Sequence, residues 1–228
     1  MNCMDIEKYV LIVAGGKGLR MGKELPKQFL SIGGKPILMH TIECFFRYDP
    51  RIHILLVLPE DHQAYWKSLC ETYRFGIPHL IADGGESRFH SVRNGLEKVP
   101  RAGLVAVHDG VRPFVSKEVI GNCFEQACKT GAAIPVMPLV ESLRICDAES
   151  SRAVDRKHYC SVQTPQVFRS DLLKDAYRQP FRDTYTDDAS VVEQYGVPVT
   201  LTAGHTENIK ITTPFDLAVG ELLVNQTR

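Results

Sequence analysis

Four unbroken apolar runs, each followed by a stretch of helix length, constrain this chain more than any other feature. They are YVLIVA (9–14), HILLVL (53–58), LVAVH (104–108) and AAIPVM (132–137). A half-buried strand alternates apolar and polar residues, whereas a continuous apolar run suits a strand covered on both faces, as in a parallel sheet. The stretches 36–48, 61–74, 87–98 and 116–130 read as helices, and Ser116 followed by Glu118 offers a cap with acid in the first turn. The alternation predicts an α/β fold, a Rossmann-like, mostly parallel twisted sheet with helices on both faces. In such folds ligands bind at the carboxyl ends of the strands.

One segment interrupts the pattern. ESLRICDAESSRAVDRKHYCSVQT (141–164) carries two alternating runs around a polar centre from Asp147 to Ser151. It reads as a β-hairpin, either projecting from the body or lying at the edge of the main sheet. The 228 residues show no repeat, low-complexity tract or linker, so the expected division is a single domain over 1–228 with 141–164 as an arm.

Composition excludes several function classes. Lys and Arg together number 27, as do Asp and Glu, so no global field recruits nucleic acid or a membrane surface. No apolar run is long enough to span a membrane and MNCMDIEKY has no apolar signal core. Seven cysteines lie without a C-x-x-C pair or a histidine at zinc spacing, which fits reduced thiols in a cytoplasm. No Ser-His-Asp pattern or G-x-S-x-G elbow is present, which argues against acyl-transfer hydrolysis.

The chemistry gathers at the expected strand ends. VLIVAGGKGLRMGKELPKQFL (10–30) runs from the first strand into a glycine turn at Gly15, Gly16 and Gly18, with Arg20, Lys23 and Lys27 behind it. The dinucleotide fingerprint wants a third glycine where Met21 stands, and the P-loop wants Ser or Thr where Glu24 stands. Glycines still let backbone N–H groups face a phosphate, and Pro26 stiffens the chain beside Lys27. DGGESRFHSVRNGL (83–96) is a second glycine turn, where Gly84 and Gly85 can pack on a flat base and Ser91 can hydrogen-bond it; Ser87 also reads as a plain helix cap. HDGVRP (108–113) sets Asp109 at a strand end as a candidate Mg2+ or hydroxyl ligand, or as half of an Asp109–Arg112 surface pair. Arg156, Thr186 with Asp187, and Lys210 follow in VDRKHY, YTDDAS and NIKIT; a lysine pointing out from a strand is usually solvated. The sum is four separated cations (Arg20, Lys27, Arg156 and Lys210), two glycine turns, one strand-end carboxylate and no covalent nucleophile. That set suits a reaction in which a substrate phosphate attacks and the protein positions reactants and offsets charge.

AGGKGLRM with LPKQFL resembles the signature of sugar-phosphate nucleotidyltransferases. Taken in order, DGGESRFHSV, HDGVRPF, DRKHYCSVQTPQVF, TDDAS and NIKIT resemble the 2-C-methyl-D-erythritol 4-phosphate cytidylyltransferases of the non-mevalonate isoprenoid pathway, over about residues 9 to 223. The resemblance implies that CTP and methylerythritol phosphate give CDP-methylerythritol and pyrophosphate with Mg2+. It places Arg20 and Lys27 at the CTP α-phosphate and Arg156 and Lys210 on the attacking phosphate. Ala14, Gly15, Gly16, Gly18, Gly85, Glu86 and Ser91 fall on the nucleotide. Asp109, Gly110, Arg112, Ser142 and Thr186 fall on the polyol phosphate, with Asp109 also the metal candidate. It implies a homodimer in which the arm closes the partner's site, in the cytoplasm. Gly15, Glu86, Gly110 and Ser142 stand where relatives often carry Ala, Asp, Ala and Thr. Ribitol 5-phosphate cytidylyltransferase and a non-catalytic nucleotide sensor are the rival assignments.

Overall fold

The computed structural model describes residues 6–15 and 25–226. The four apolar runs form strands β1 (Lys8–Val13), β4 (His53–Leu58), β6 (Leu104–Asp109) and β7 (Ala132–Pro138). Between β1 and β4 comes a small hairpin of β2 (Ser31–Ile32) and β3 (Lys35–Pro36), turned by Gly33 and Gly34 at φ 56° and 80°, angles that favour glycine. The remaining strands are β5 (Leu80–Asp83), β8 (Leu143–Cys146), β9 (Ser151–Val154), β10 (Cys160–Val162), β11 (Gln166–Arg169) and β12 (Thr200–Ala203). Eight of them make one sheet in the order β10-β7-β11-β6-β1-β4-β5, with β12 also paired to β7. Neighbours are parallel from β6 through β1 and β4 to β5, while β11 and β10 run antiparallel, so the sheet is mixed but mostly parallel on the side of β1.

Helices cover both faces, as the unbroken runs require. They are α1 (Ile37–Tyr48), α2 (Glu60–Thr72), α3 (Arg88–Glu97), α4 (Lys117–Thr130), α5 (Ser170–Ala176), α6 (Asp188–Gln194) and α7 (Pro214–Gln226). Val10 and Ile12 of β1 pack toward Phe45, Trp66 and Phe124, from α1, α2 and α4. Leu11, pointing the other way, packs with Phe89, Leu173 and Val192 from α3, α5 and α6. Ser116 caps α4 by accepting from Val119 N at 3.1 Å, and Gly131 closes that helix at φ 92°.

The arm is shorter than its sequence pattern. Among the described residues β8 and β9 pair only with each other, in a two-stranded sheet turned at Asp147 and Ser150. Cys160–Val162 returns to the main sheet against β7, because its backbone meets the free edge of that strand there. Among the described residues no helix is long and apolar enough to cross a membrane. Among the described residues five cysteines are free and Cys128 is disulfide-bonded, against the expectation of reduced thiols throughout.

Candidate active site

β1 and β6 are parallel, with Val13 opposite Asp109, so the chain leaves both strands at one edge of the sheet. Behind β1 the chain returns as a single 3-10 turn at Lys27–Phe29. Gln28, almost fully buried, donates from Nε2 to Ala14 O at 2.7 Å and fastens that turn to the end of β1. Pro26 precedes it at φ −56°. Lys27 is thereby set beside Ala14 and Gly15 by a buried hydrogen bond, the arrangement that the proline-lysine-glutamine run suggests.

The second glycine turn stands against the first. Gly84 N donates to Leu58 O at 2.8 Å, joining the turn to the end of β4. Ser87 caps α3. The Ser91 hydroxyl donates to Ser87 O at 2.9 Å and accepts from Gly85 N at 3.0 Å, so it braces the turn and keeps one lone pair for a ligand. A Cβ on Gly85 would lie 2.5 Å from His90 Cβ, so only glycine fits there. A Cβ on Gly15 would meet nothing closer than Ser91 Oγ at 3.7 Å. Between the turns lies a cleft of about 730 Å³, which reaches Glu86 and Arg88 on one side and Asp109 and Lys210 at its floor.

The floor is a charge cluster around one carboxylate. Asp109 Oδ2 accepts from Arg112 Nε at 3.1 Å and is ion-paired with Lys210 Nζ at 3.1 Å, and Oδ1 faces Arg88 Nε at 3.8 Å. Burial pushes this carboxyl up, but Arg88, Lys210 and Arg112 pull harder and hold it well below the usual carboxylate range. The backbone is held from behind. His108 Nε2 donates to Arg112 O at 3.1 Å, its Nδ1 accepts from Thr164 Oγ1 at 3.0 Å, and Thr164 Oγ1 accepts from Asp109 N at 3.1 Å. A neutral imidazole satisfies those bonds, and burial, which takes its pKa down to about 4, favours that form. Arg112 Nη1 donates to Asn208 O at 2.8 Å, and Asn208 Nδ2 to Thr164 O at 2.8 Å, which brings the segment carrying Lys210 to the floor.

The cleft unites Ala14, Gly15, Lys27, Gly85, Glu86 and Ser91 with Asp109 and Lys210. Arg112 and Gly110 adjoin it, the first through Asp109 and the second through Ala14, whose Cβ would lie 2.9 Å from a Cβ on Gly110. Gly16, Gly18 and Arg20 lie outside the described residues. Three expected residues stand apart from the cleft of this chain: Ser142, Arg156 and Thr186 are all exposed. Arg156 lies in a 3-10 turn (Arg156–His158) and donates to Val140 O. Asp109 and Arg112 are not a surface pair, since their side chains are only 10% and 11% exposed. Residues 208–211 form no strand, and Lys210 is ion-paired rather than merely solvated. Asp109 as a metal ligand meets an obstacle, because a dication there would sit among three cations. Sequence reasoning missed Arg88 and its partner Asp188. In TDDAS Asp187 caps α6 and the second acid is fully buried, a difference between two adjacent acids that shows only once the chain is packed.

The 2-C-methyl-D-erythritol 4-phosphate cytidylyltransferase family model matches residues 8–226. The chain belongs to that family. It is 59% identical to the protein of that name from Phocaeicola vulgatus, across 96% of this chain and 100% of that one. It is 61% identical to the Bacteroides fragilis counterpart, across 94% and 98%. The crystal structure of the cytidylyltransferase from Thermus thermophilus superposes with a TM-score of 0.79 at 34% identity, covering 96% of this chain and 100% of that one. The Anaerococcus prevotii 4-diphosphocytidyl-2C-methyl-D-erythritol synthase gives 0.83 at 27% identity, covering 99% and 100%. The likeness extends over the whole sheet, including the strand ends on which the cleft is built.

Proposed function

We propose that the chain transfers the cytidylyl group of CTP to 2-C-methyl-D-erythritol 4-phosphate, releasing pyrophosphate, in the synthesis of isoprenoid precursors. Membership of the family over nearly the whole chain supports this. The observation that carries it is that Lys27 and Lys210, from distant parts of the sequence, line one cleft at the ends of β1 and β6. One suits the nucleotide phosphates and the other an incoming phosphate. A phosphate oxygen of the polyol attacks the α-phosphorus in line; a new P–O bond forms, and the bond to the β-phosphate oxygen breaks as pyrophosphate departs. Charge builds on the equatorial oxygens, and the two anionic substrates repel each other. Lys27 and Arg20 offset the first cost, and Lys210 and Arg156 the second. Ala14, Gly15, Gly16, Gly18, Gly85, Glu86 and Ser91 receive the nucleotide; Asp109, Gly110, Arg112, Ser142 and Thr186 receive the polyol phosphate.

Mg2+ fits as an ion carried in on the triphosphate. Among the described residues no group of three His, Cys, Asp or Glu side chains could hold a metal, and Asp109 is already enclosed by cations. When bound, Mg2+ would offset charge on the departing phosphates.

The remaining elements extend the proposal. One nucleotidyltransferase domain spans 1–228, and its arm mediates a C2 homodimer. A lone two-stranded hairpin is marginal in water, and this one leaves Ile145 43% and nearby Tyr159 46% exposed. Ser142 and Arg156, away from their own cleft, then reach the partner's. A cytoplasmic setting suits an enzyme whose substrates are charged phosphates that do not cross membranes unaided.

Pyrophosphate release from CTP, measured with and without methylerythritol phosphate, tests the proposal. Release that needs the polyol phosphate supports the enzyme. None with either polyol would leave a nucleotide sensor, and faster turnover with ribitol 5-phosphate would move the assignment to that substrate.

A further inference from the structure

Among the described cations of the floor, Arg88 is the one held by a second carboxylate. Its Nη1 and Nη2 donate to Asp188 Oδ1 and Oδ2 at 2.9 and 2.7 Å, a bidentate fork, and only Nε turns to Asp109. Asp188 has no exposure to solvent and is completed by Tyr177, whose hydroxyl donates to Oδ1 at 2.6 Å. Tyr177 is itself held, stacked on Phe89 at 4.7 Å between centroids. Asp188 opens α6 and Tyr177 follows α5, so two helices on the same face of the sheet as α3 fix the guanidinium.

This fixing matters because of the 3.8 Å left between Arg88 Nε and Asp109 Oδ1. That gap is too long for a hydrogen bond. Asp109 Oδ2 already accepts from Arg112 and is ion-paired with Lys210, so Oδ1 is the oxygen left open as an acceptor for a hydroxyl-bearing substrate. An arginine without a second carboxylate would move in and take it.

We infer that Asp188 is a positioning residue for polyol-phosphate binding: it holds Arg88 back from Asp109 so that Oδ1 stays open to a substrate hydroxyl, and Tyr177 holds Asp188 in turn. The inference rests on the proposed substrate, and its test separates the two. Asp188→Asn keeps shape but gives up the charge that restrains Arg88. Its KM for methylerythritol phosphate should rise roughly tenfold, the scale of one lost hydrogen bond to a charged group, with the Kd for CTP changed less than about twofold. Tyr177→Phe should move KM the same way by less. Adding Arg88→Gln to Asp188→Asn removes the intruding cation and should return KM most of the way to the wild-type value. A merely structural role would lower the melting temperature and the active fraction, leaving KM where it was, and the third substitution would restore nothing. Unchanged KM in both single variants, or an equal loss of CTP affinity, overturns the inference. If Asp188→Asn does not fold, Tyr177→Phe decides it alone. Wild-type protein that fails to release pyrophosphate with the polyol phosphate would bring down the proposed function first and this inference with it; active wild type with unmoved KM in the variants would bring down only the inference.

Discussion

Lys210 Nζ lies 3.1 Å from Asp109 Oδ2, an ion pair between the last cation of the sequence pattern and the strand-end carboxylate at the cleft floor. The lysine side chain remains 41% exposed. It is therefore aimed by Asp109 and still accessible to an anion.

Lys210→Ala should raise KM for the polyol phosphate and leave CTP affinity nearly unchanged, since Asp109 keeps Arg112 and Arg88 as counterions. Titration calorimetry with CTP alone checks the second half. A large loss of CTP binding would reassign Lys210 to the triphosphate.

Lys27 is held beside Ala14 by the turn that Gln28 fastens. If it meets charge that develops only during reaction, Lys27→Ala should lower kcat by roughly 10²-fold or more, as for a lost oxyanion donor. Steady-state kinetics over both substrates tests this, and normal turnover with a raised CTP KM alone would count against it.

The two glycine turns should respond oppositely to a methyl group. Gly15→Ala has room, with its nearest contact at 3.7 Å, and should retain activity. Gly85→Ala drives a Cβ to 2.5 Å from His90 Cβ and 2.9 Å from His90 C, and should weaken CTP binding by displacing the turn. Equal CTP affinities in the two variants would refute the assignment of Gly85 and Glu86 to the nucleotide.

Acid should loosen the floor in a defined window. Burial lowers the His108 pKa from an ordinary 6.5 to about 4, so the folded state binds fewer protons than the unfolded chain between those values. The stability from the neutral imidazole is full above pH 6.5 and is lost as pH falls toward 4, on the order of 3 kcal/mol. His40, also lowered chiefly by burial, adds a change of the same sign. Urea unfolding at about pH 7 and about pH 5 should show this slope in the wild type and a flatter one in His108→Gln. Parallel slopes would remove His108 as the cause.

Subunit mixing tests the arm. Arg156→Ala and Lys27→Ala chains, each nearly inactive, should recover activity together if Arg156 serves the partner's cleft, because one of the two sites in the heterodimer then carries neither lesion. Persistent inactivity after confirmed subunit exchange would place Arg156 in its own chain's site, and a monomer by sedimentation at micromolar concentration would remove the dimer itself.

The fold was legible where burial left a long trace. β1, β4, β6 and β7 and helices α1 to α4 follow the apolar runs and periodic stretches almost residue for residue. The shorter elements were not: α5 and α6 have seven residues each, too few for a 3.6-residue period to stand out, and Leu80 of β5 is 61% exposed. In the site, glycines and prolines announced the two turns because backbone geometry demands those residue types. Arg88, Asp188 and Tyr177 were silent because each is an ordinary residue until packing sets them side by side. Composition could not tell a buried Asp109 from a solvated one either, since the three cations that hold it come from separate segments.

Gln163 gives the molecule a seam. Its Oε1 accepts from His205 N at 3.1 Å and Asn208 Nδ2 at 3.2 Å, and its Nε2 donates to His205 O at 2.9 Å. One amide thus sews the root of the arm, just beyond Arg156, to the segment that ends at Lys210. The two cations proposed for the incoming phosphate are inherited as a unit: a chimera that transplants the arm from a relative with another polyol preference must carry the 205–210 segment with it, or the graft arrives with mismatched stitching.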